Sequence, residues 1–409
     1  MIRWLIFIIA YLAMGLYTLQ ALRLVSRFPW VYFLYIAISL VVLGNFVYQF
    51  TWGEDPGRVL SRPKSYAFGF LLSVLVFNVV IIFFLFSEDV YRLLSATYHK
   101  LFGGTEEFSI PERRRFLSML AMGLAALPFG ALLYGMYRGK YNYRVLRYEL
   151  AFKDLPNAFH NYRITQISDV HSGSFDNRDK IAYGVELINQ QQSDVIFFTG
   201  DLVNNKTSEM LPWTDLFSTL QAPDGVYSIL GNHDYGDYIE WNTVEEKLKN
   251  LEDLKELQRS MGFDLLLNEH RYLERNGDRI ALVGVENWGR GGFKKAGDLD
   301  RAVKNIDPKD FKILLSHDPS HWEDMVIHHP LHFHLTLSGH THGMQFGIEI
   351  PGWIKWSPVK WRYKYWAGIY EEIGQFINVN RGFGFLGYPG RVGIWPEITV
   401  ITLKKTGLT

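Results

Sequence analysis

The 409-residue sequence contains no cysteine. That absence excludes disulfides and thiolate metal ligands, so a metal site here must draw on His, Asp and Asn. It leaves the redox compartment open. Neither sign of charge is in surplus, since Lys plus Arg and Asp plus Glu both number 42. No overall field argues for nucleic acid as a partner. Repeats and low-complexity tracts are also absent. What the chain has in excess is apolar surface: hydrophobic residues make up 48% and aromatics 16%, both high for a purely soluble protein. The length suits two or three domains.

Four uncharged apolar runs fill the first 140 residues: Trp4 to Leu22, Trp30 to Phe50, Tyr66 to Phe86 and Phe116 to Tyr137. Each reaches the roughly 20 residues that a bilayer-spanning helix needs. Trp4, Trp30, Tyr48, Trp52, Tyr66 and Tyr137 sit near the ends, as interface aromatics do. Gln20, Asn45, Gln49 and Asn78 lie within the runs, which hold no ionisable residue, so they read as helix–helix glue and not as a transport path. Between the third and fourth runs, Ser87 to Arg115 starts with Glu88-Asp89. It continues with Val90, Leu93, Leu94, Tyr98 and Leu101 at amphipathic spacing. The segment reads either as a short interfacial helix ending at Gly103-Gly104 or as a plain loop. Basic residues flank the two membrane faces almost equally. Arg113-Arg114-Arg115-Phe116-Leu117, ahead of the fourth run, resembles a twin-arginine export signal. Both that reading and an ordinary positive-inside cluster put the following domain on the outer, periplasmic or extracellular, face. The expected divisions are a membrane region over 1–140, a connector over 141–160 and a catalytic domain over 161–405. The connector, with Lys140, Arg144 and Arg147 at its start, either rides the headgroups or is a solvated linker. Alternation at Leu146, Tyr148, Leu150 and Phe152 predicts an edge strand within it.

Downstream, five short apolar runs each end in ligand-type residues. Arg163 to Ser168 leads into Asp169-Val170-His171, and Val195 to Thr199 into Gly200-Asp201-Leu202-Val203-Asn204. Val226 to Leu230 leads into Gly231-Asn232-His233-Asp234, and Phe311 to Ser316 into His317-Asp318-Pro319. Leu335-Thr336-Leu337 leads into Ser338-Gly339-His340-Thr341-His342-Gly343, where two histidines at spacing two would share one face of an extended segment. A strand that ends in Asp, His or Asn projects a ligand from the rim of a sheet, and five such rims form a constellation. Between them, helices are expected over Asp179 to Gln191, over Trp241 to Met261 with Val244, Leu248, Leu251, Leu254 and Leu257 inward, and ending over Ala302 to Ile306. Further strands are expected at Ile280 to Val285, His334 to Leu337, Phe376 to Val379 and Ile398 to Leu403. Order alone gives an α/β class.

These blocks resemble the signature of the calcineurin-like metallophosphoesterases, closest to the membrane-associated branch, over about Tyr162 to Leu403. The resemblance implies an α/β sandwich of two mixed sheets, preceded here by a four-helix transmembrane region, with the site at the strand ends. Carried over residue by residue, it implies that Asp169, His171 and His342 hold one metal ion. Asn232, His317 and His340 would hold a second, with Asp201 bridging the two. N and O donors suit Mn, Fe, Zn or Co, with Mn first. Such a pair would share a bridging hydroxide as nucleophile. His233 would be the acid for the leaving oxygen, and Asp234 either orients it or is a turn-forming residue. Met344 departs from the branch, which has glycine there, and is expected to affect loop packing more than ligation.

Other residues carry less. His321, His328, His329, His332 and His334 read as surface or packing residues. Arg290, Arg381 and Arg391 lie on glycine-containing loops and read as solvated arginines or as phosphate contacts. Trp353 to Trp366 interleaves aromatics with Lys355, Lys360, Arg362 and Lys364, which fits either a membrane-interface patch or an aromatic core hairpin. The expected function is a membrane-anchored phosphoesterase acting on a phosphorylated small molecule or a lipid-linked substrate. UDP-2,3-diacylglucosamine is one candidate, given by resemblance only. The alternative is a membrane sensor or scaffold that binds a phosphorylated ligand without turnover. A transporter with an appended enzyme is disfavoured by the uncharged spans.

Overall fold

A computed structural model describes residues 2–53, 59–103, 111–350 and 352–408; Gly104, where the interfacial helix was expected to end, lies outside them. The chain divides into two compact units, Met1–Asp55 with Pro63–Tyr137, and Pro56–Arg62 with Arg138–Thr409.

The first unit is built of α1 (Ile2–Val25), α2 (Pro29–Thr51), α3 (Arg62–Phe102) and α4 (Pro111–Tyr137). All four helices are long and apolar enough to cross a membrane. Ala21, Ala121 and Ala125 meet Ile81 and Leu85 in its core, small residues that let helices approach closely. Asn78 is fully buried and its Oδ1 accepts from the Tyr35 hydroxyl at 2.8 Å. Gln20 and Asn45 face outward instead, so of these two expected glue residues neither joins helices.

Helix α3 also departs from expectation. It does not stop at Phe86 but runs 41 residues through the acidic pair, so the expected interfacial helix is its last turns. The reason is neutralisation from a neighbouring helix. Arg114 Nη1 lies 3.1 Å from Glu88 Oε2 and also holds Asp89, which the Tyr17 hydroxyl contacts as well. Val90, Leu93, Leu94 and Leu101 stay exposed along this extension.

The second unit layers two six-stranded sheets. One holds β1 (Arg144–Phe152), β2 (Arg163–Ile167), β3 (Val195–Phe198), β4 (Val226–Ser228), β5 (Phe263–Leu265) and β14 (Glu397–Lys405), in the order β1-β14-β2-β3-β4-β5. The other holds β6 (Glu269–Arg275), β7 (Asp278–Gly284), β8 (Phe311–Leu315), β9 (Leu335–Ser338), β12 (Gly368–Glu372) and β13 (Gln375–Val379), in the order β12-β13-β9-β8-β7-β6. Side chains alternate between two buried faces. Phe197 and Val195 on β3 meet Ile280, Leu282 and Ile313 between the sheets. Ala281, Val283 and Leu314 pack outward against Trp322 and Phe333.

The expected edge strand is β1, which pairs with β14 in parallel from Arg144↔Glu397 to Phe152↔Lys405. Residues 144–152 of the expected connector therefore belong to the sheet as that edge strand. Helix α5 (Arg178–Asn189) buries Ile181, Val185 and Ile188 and is capped by the Asn177 side chain, which accepts from Lys180 N. After the one-turn α6 (Thr214–Phe217), helix α7 (Val244–Ser260) buries Leu254 but leaves Val244 and Leu248 exposed. Only its C-terminal half meets the core, so two of the five expected inward residues face solvent. The short helix is α8 (Leu299–Ala302), and α9 (Ser320–Asp324) follows β8. The aromatic segment is split: β10 (Ile348–Ile350) and β11 (Ile354–Trp356) form a hairpin, Tyr363, Tyr365 and Trp366 are buried, and Trp353 and Trp361 are exposed.

Candidate metal centre

β2, β3 and β4 run parallel, as do β7, β8 and β9, so their carboxyl ends open on a common rim in each sheet. Asp169 and His171 follow β2, Asp201 follows β3, Asn232 follows β4, His317 follows β8, and His340 and His342 follow β9. The backbone turns sharply at five of these seven. Asp169 (φ 53°), His171 (49°), Asp201 (60°), His340 (70°) and His342 (51°) are all left-handed. Non-glycine residues hold that conformation only where their surroundings enforce it, and such residues gather at functional sites. The His340-Thr341-His342 segment is therefore a turn and not the extended run its spacing suggested. The turn sends the two histidines to different groups, His342 to Asp169 and His171, and His340 to Asp201 and His317. Glycine is required beside them. A Cβ on Gly231 would stand 2.2 Å from Asp201 Oδ1, and one on Gly339 would stand 1.9 Å from Ser168 Oγ.

His171 Nε2 lies 3.0 Å from His342 Nε2 and 3.6 Å from Asp201 Oδ2. Asp169 Oδ1 is 3.2 Å from His342 Nε2 and 4.0 Å from His171 Nε2. Asp201 Oδ2 is also 3.2 Å from His317 Nε2, which nonetheless makes no well-directed hydrogen bond. These are the spacings of ligand atoms around a shared cation at about 2.0–2.2 Å. Asn232 supports that fit. Its Nδ2 donates to the Tyr238 hydroxyl at 2.7 Å, which leaves Oδ1 buried without a partner. An unpartnered buried acceptor is costly unless something such as a cation satisfies it.

Charge in the cluster is finely divided. Burial opposes charge on His317, yet the Asp201 and Asp169 carboxylates push it up to about 10. Burial and the neighbouring His233 and His342 hold His171 well below the usual imidazole range. His233 is anchored by two contacts: its backbone N donates to Asp201 Oδ1 at 2.8 Å and its Nδ1 lies 2.8 Å from the Asn204 carbonyl. Burial lowers its pKa.

Asp234 does not orient the His233 ring. Its carboxylate accepts from the backbone N–H groups of Gly231, Asp201, Leu202 and Val203 at 2.8–3.3 Å. It clamps the β3 and β4 loops together. Burial and the Asp201 charge push it up to about 7, while the four N–H donors favour the ionised form.

The three loop arginines, read as solvated or as phosphate contacts, all have protein partners, and Arg381 and Arg391 are buried. Arg290 pairs with Glu323 and Asp324, and Arg381 with Glu349 and Glu397. Arg391 is fully buried behind the site, 3.2 Å from His342 Nδ1 and bonded to the Gly382 and Gly384 carbonyls. His321 and His334 are buried packing residues, with ring partners Trp288 and Phe311.

A cavity of about 370 Å³ opens onto His171, Asp201, Asn232, His233, His340 and His342. Phe293, Met344, Pro358, Trp361, Arg362 and Leu386 contribute to its walls. Sequence reasoning missed several of the supports. The Tyr363 hydroxyl lies 2.8 Å from His340 Nε2, and the Phe293 ring stands edge-on to His340 at 4.8 Å. Tyr238 stacks on His233 at 4.3 Å. Tyr238, six residues after Asn232, was within reach of a motif-centred search. Phe293 carried no signal at all.

The sandwich and the clustered His and Asp side chains define a metallophosphoesterase. Residues 162–344 match the model of the calcineurin-like phosphoesterase family, and residues 2–140 match that of a probable calcineurin-like phosphoesterase transmembrane domain. The chain belongs to the calcineurin-like phosphoesterase family, and within it resembles members that carry four membrane helices. YkuE of Bacillus subtilis (strain 168), an uncharacterized metallophosphoesterase, is 30% identical over 309 residues, 72% of this chain and 98% of that protein. A Danio rerio transmembrane protein with metallophosphoesterase domain is 26% identical over 347 residues, 82% of this chain and 74% of that one. The protein is thus a membrane protein, and its family binds divalent metals and implies phosphoester hydrolysis.

Proposed function

We propose that this chain is a membrane-anchored, dinuclear-metal phosphoesterase that hydrolyses a phosphate ester or pyrophosphate bond. The observation that carries the reading is the position of Asp201. One carboxylate oxygen lies 3.6 Å from His171 Nε2 and 3.2 Å from His317 Nε2, facing both halves of the cluster. Asp169, His171 and His342 would hold one ion with Asp201, and Asn232, His317 and His340 the other. Bound there, two divalent ions supply an activated water and neutralise phosphoryl charge. Mn is the first candidate, with Fe, Zn and Co also suited to the N and O donors. His233, with Nδ1 committed to the Asn204 carbonyl, keeps its other ring nitrogen for the proton of the leaving oxygen. Asp234 holds the loops that carry Asp201 and Asn232.

The substrate in this reading is a phosphorylated small molecule or a lipid-linked phosphoester, the latter favoured by the membrane helices. UDP-2,3-diacylglucosamine rests on resemblance alone. Arg113 to Arg115 at the head of α4 support a domain on the outer face, which a reporter fused after Thr409 reads directly.

The test is turnover of bis(p-nitrophenyl) phosphate by the full-length protein with Mn²⁺. Asp201→Asn is expected to lose at least about 100-fold in kcat/KM, the scale of a lost charge-stabilising group. Wild-type protein that binds phosphate with Mn, Fe, Zn or Co yet turns over no aryl phosphoester would favour the sensor instead.

A further inference from the structure

The metal cluster accounts for one phosphoryl group, but the cavity above it also holds a cation that this chemistry does not use. Arg362 is the one cationic side chain lining that cavity among the described residues, and Asp201 is the one carboxylate. The three loop arginines Arg290, Arg381 and Arg391 are committed elsewhere, two to carboxylates and one behind His342. Arg362, by contrast, is exposed and forms no ion pair among the described residues. Its guanidinium carbon lies 5.2 Å from the centre of the Phe293 ring and 5.5 Å from that of Tyr363. Aromatic faces at these distances hold a guanidinium in place without neutralising it.

The same two rings fix where Arg362 stands relative to the metal ligands. Phe293 and Tyr363 both meet the His340 ring edge-on, at 4.8 and 5.5 Å. The guanidinium is therefore one ring removed from His340. A group bound by the His and Asp cluster would lie on one side of this aromatic pair, and the next group along the same ligand would then lie beside Arg362.

We propose that Arg362 is a specificity-determining residue that binds a second anionic group of the substrate. The substrate class is then a phosphoanhydride, or a phosphodiester with a further charged group, in preference to a simple phosphomonoester. This rests on the dinuclear-metal reading above and adds to it a reason why one ester is chosen over another. A planar guanidinium gives two parallel hydrogen bonds to a phosphate, so lysine is a partial replacement.

The experiment is calorimetric binding to the full-length, Mn²⁺-loaded protein in detergent, with methylphosphonate and non-hydrolysable methylenediphosphonate as probes. Wild-type protein is expected to bind the diphosphonate at least ten-fold more tightly. Arg362→Ala is expected to remove that preference while changing methylphosphonate affinity less than two-fold, and Arg362→Lys to restore part of it. Asn232→Ala, which strikes the metal cluster, should weaken both probes alike. A wild-type protein that binds methylphosphonate but shows no preference overturns the Arg362 assignment alone, as does a preference that survives in Arg362→Ala. Failure of wild-type protein to bind either probe with any of Mn, Fe, Zn or Co overturns the metal-cluster reading, and this one with it.

Discussion

His171 and His342, 171 residues apart in the chain, bring their Nε2 atoms to 3.0 Å. At this separation the two Nε2 atoms cannot both bear a hydrogen facing the other. A divalent cation between them removes the conflict, so metal is expected to stabilise the fold. At 100 times Kd, one bound ion adds about 2.7 kcal/mol. Scanning fluorimetry with Mn²⁺ against a chelator should show a rise in Tm, and His342→Ala should abolish most of it. An unchanged wild-type Tm would count against ion binding.

His233 and Asp234 are neighbours with separable tasks. His233→Ala should cut kcat by roughly 10²- to 10⁴-fold, the range for a lost general acid, and, losing one ring hydrogen bond, should lower Tm less than Asp234→Ala does. Asp234→Ala leaves the four backbone N–H groups without their acceptor. It should cost about 3 kcal/mol or more of stability and weaken metal binding as well. Equal Tm values for the two variants would refute the loop-clamp role of Asp234.

Met344 sits at φ 55° with its side chain exposed. Glycine takes that backbone without strain, whereas other residues pay about 1–2 kcal/mol. Met344→Gly should therefore raise stability by about 1 kcal/mol, read as an upward shift of Tm in metal-saturated protein. A downward shift would mean that the side chain's contacts outweigh its backbone strain.

His334 gives the protein an acid-sensitive point away from the metal cluster. It is buried, with Nδ1 accepting from Lys312 N at 3.0 Å and its ring stacked on Phe311. Burial, then the charges of His332 and Lys312, lower it to about 3. The folded pKa lies below the unfolded value near 6.5, so the unfolded chain binds the extra proton. Stability from this residue is complete above about pH 6.5 and falls as pH drops toward 3, by about 2 kcal/mol at pH 5. Denaturation at pH 7.5 and pH 5.0 should show a smaller drop for His334→Gln than for wild-type protein.

Much of this architecture is readable in the chain because strands that end in Asp, His or Asn announce both a sheet and its rim. The apolar runs before Asp169, Asp201, Asn232 and His317 end within two residues of the observed strands. The rest depends on contacts with no local signature. Glu88-Asp89 looked like the end of a membrane helix, because nothing nearby in sequence shows that Arg114 neutralises it. The turn at His340 and His342 depends on the clearance of Gly339 against Ser168 and Asp169, not on its own spacing. Arg362 was one basic residue in an aromatic stretch until the cavity singled it out.

The left-handed backbones bear on how this sequence can drift. At His171, His340 and His342, glycine would relax the chain by about 1 kcal/mol each. A descendant freed from ion binding would be drawn toward those substitutions, one imidazole at a time. Among relatives, glycine at any of the three positions would mark a copy that has given up a ligand of the proposed metal centre while keeping the scaffold.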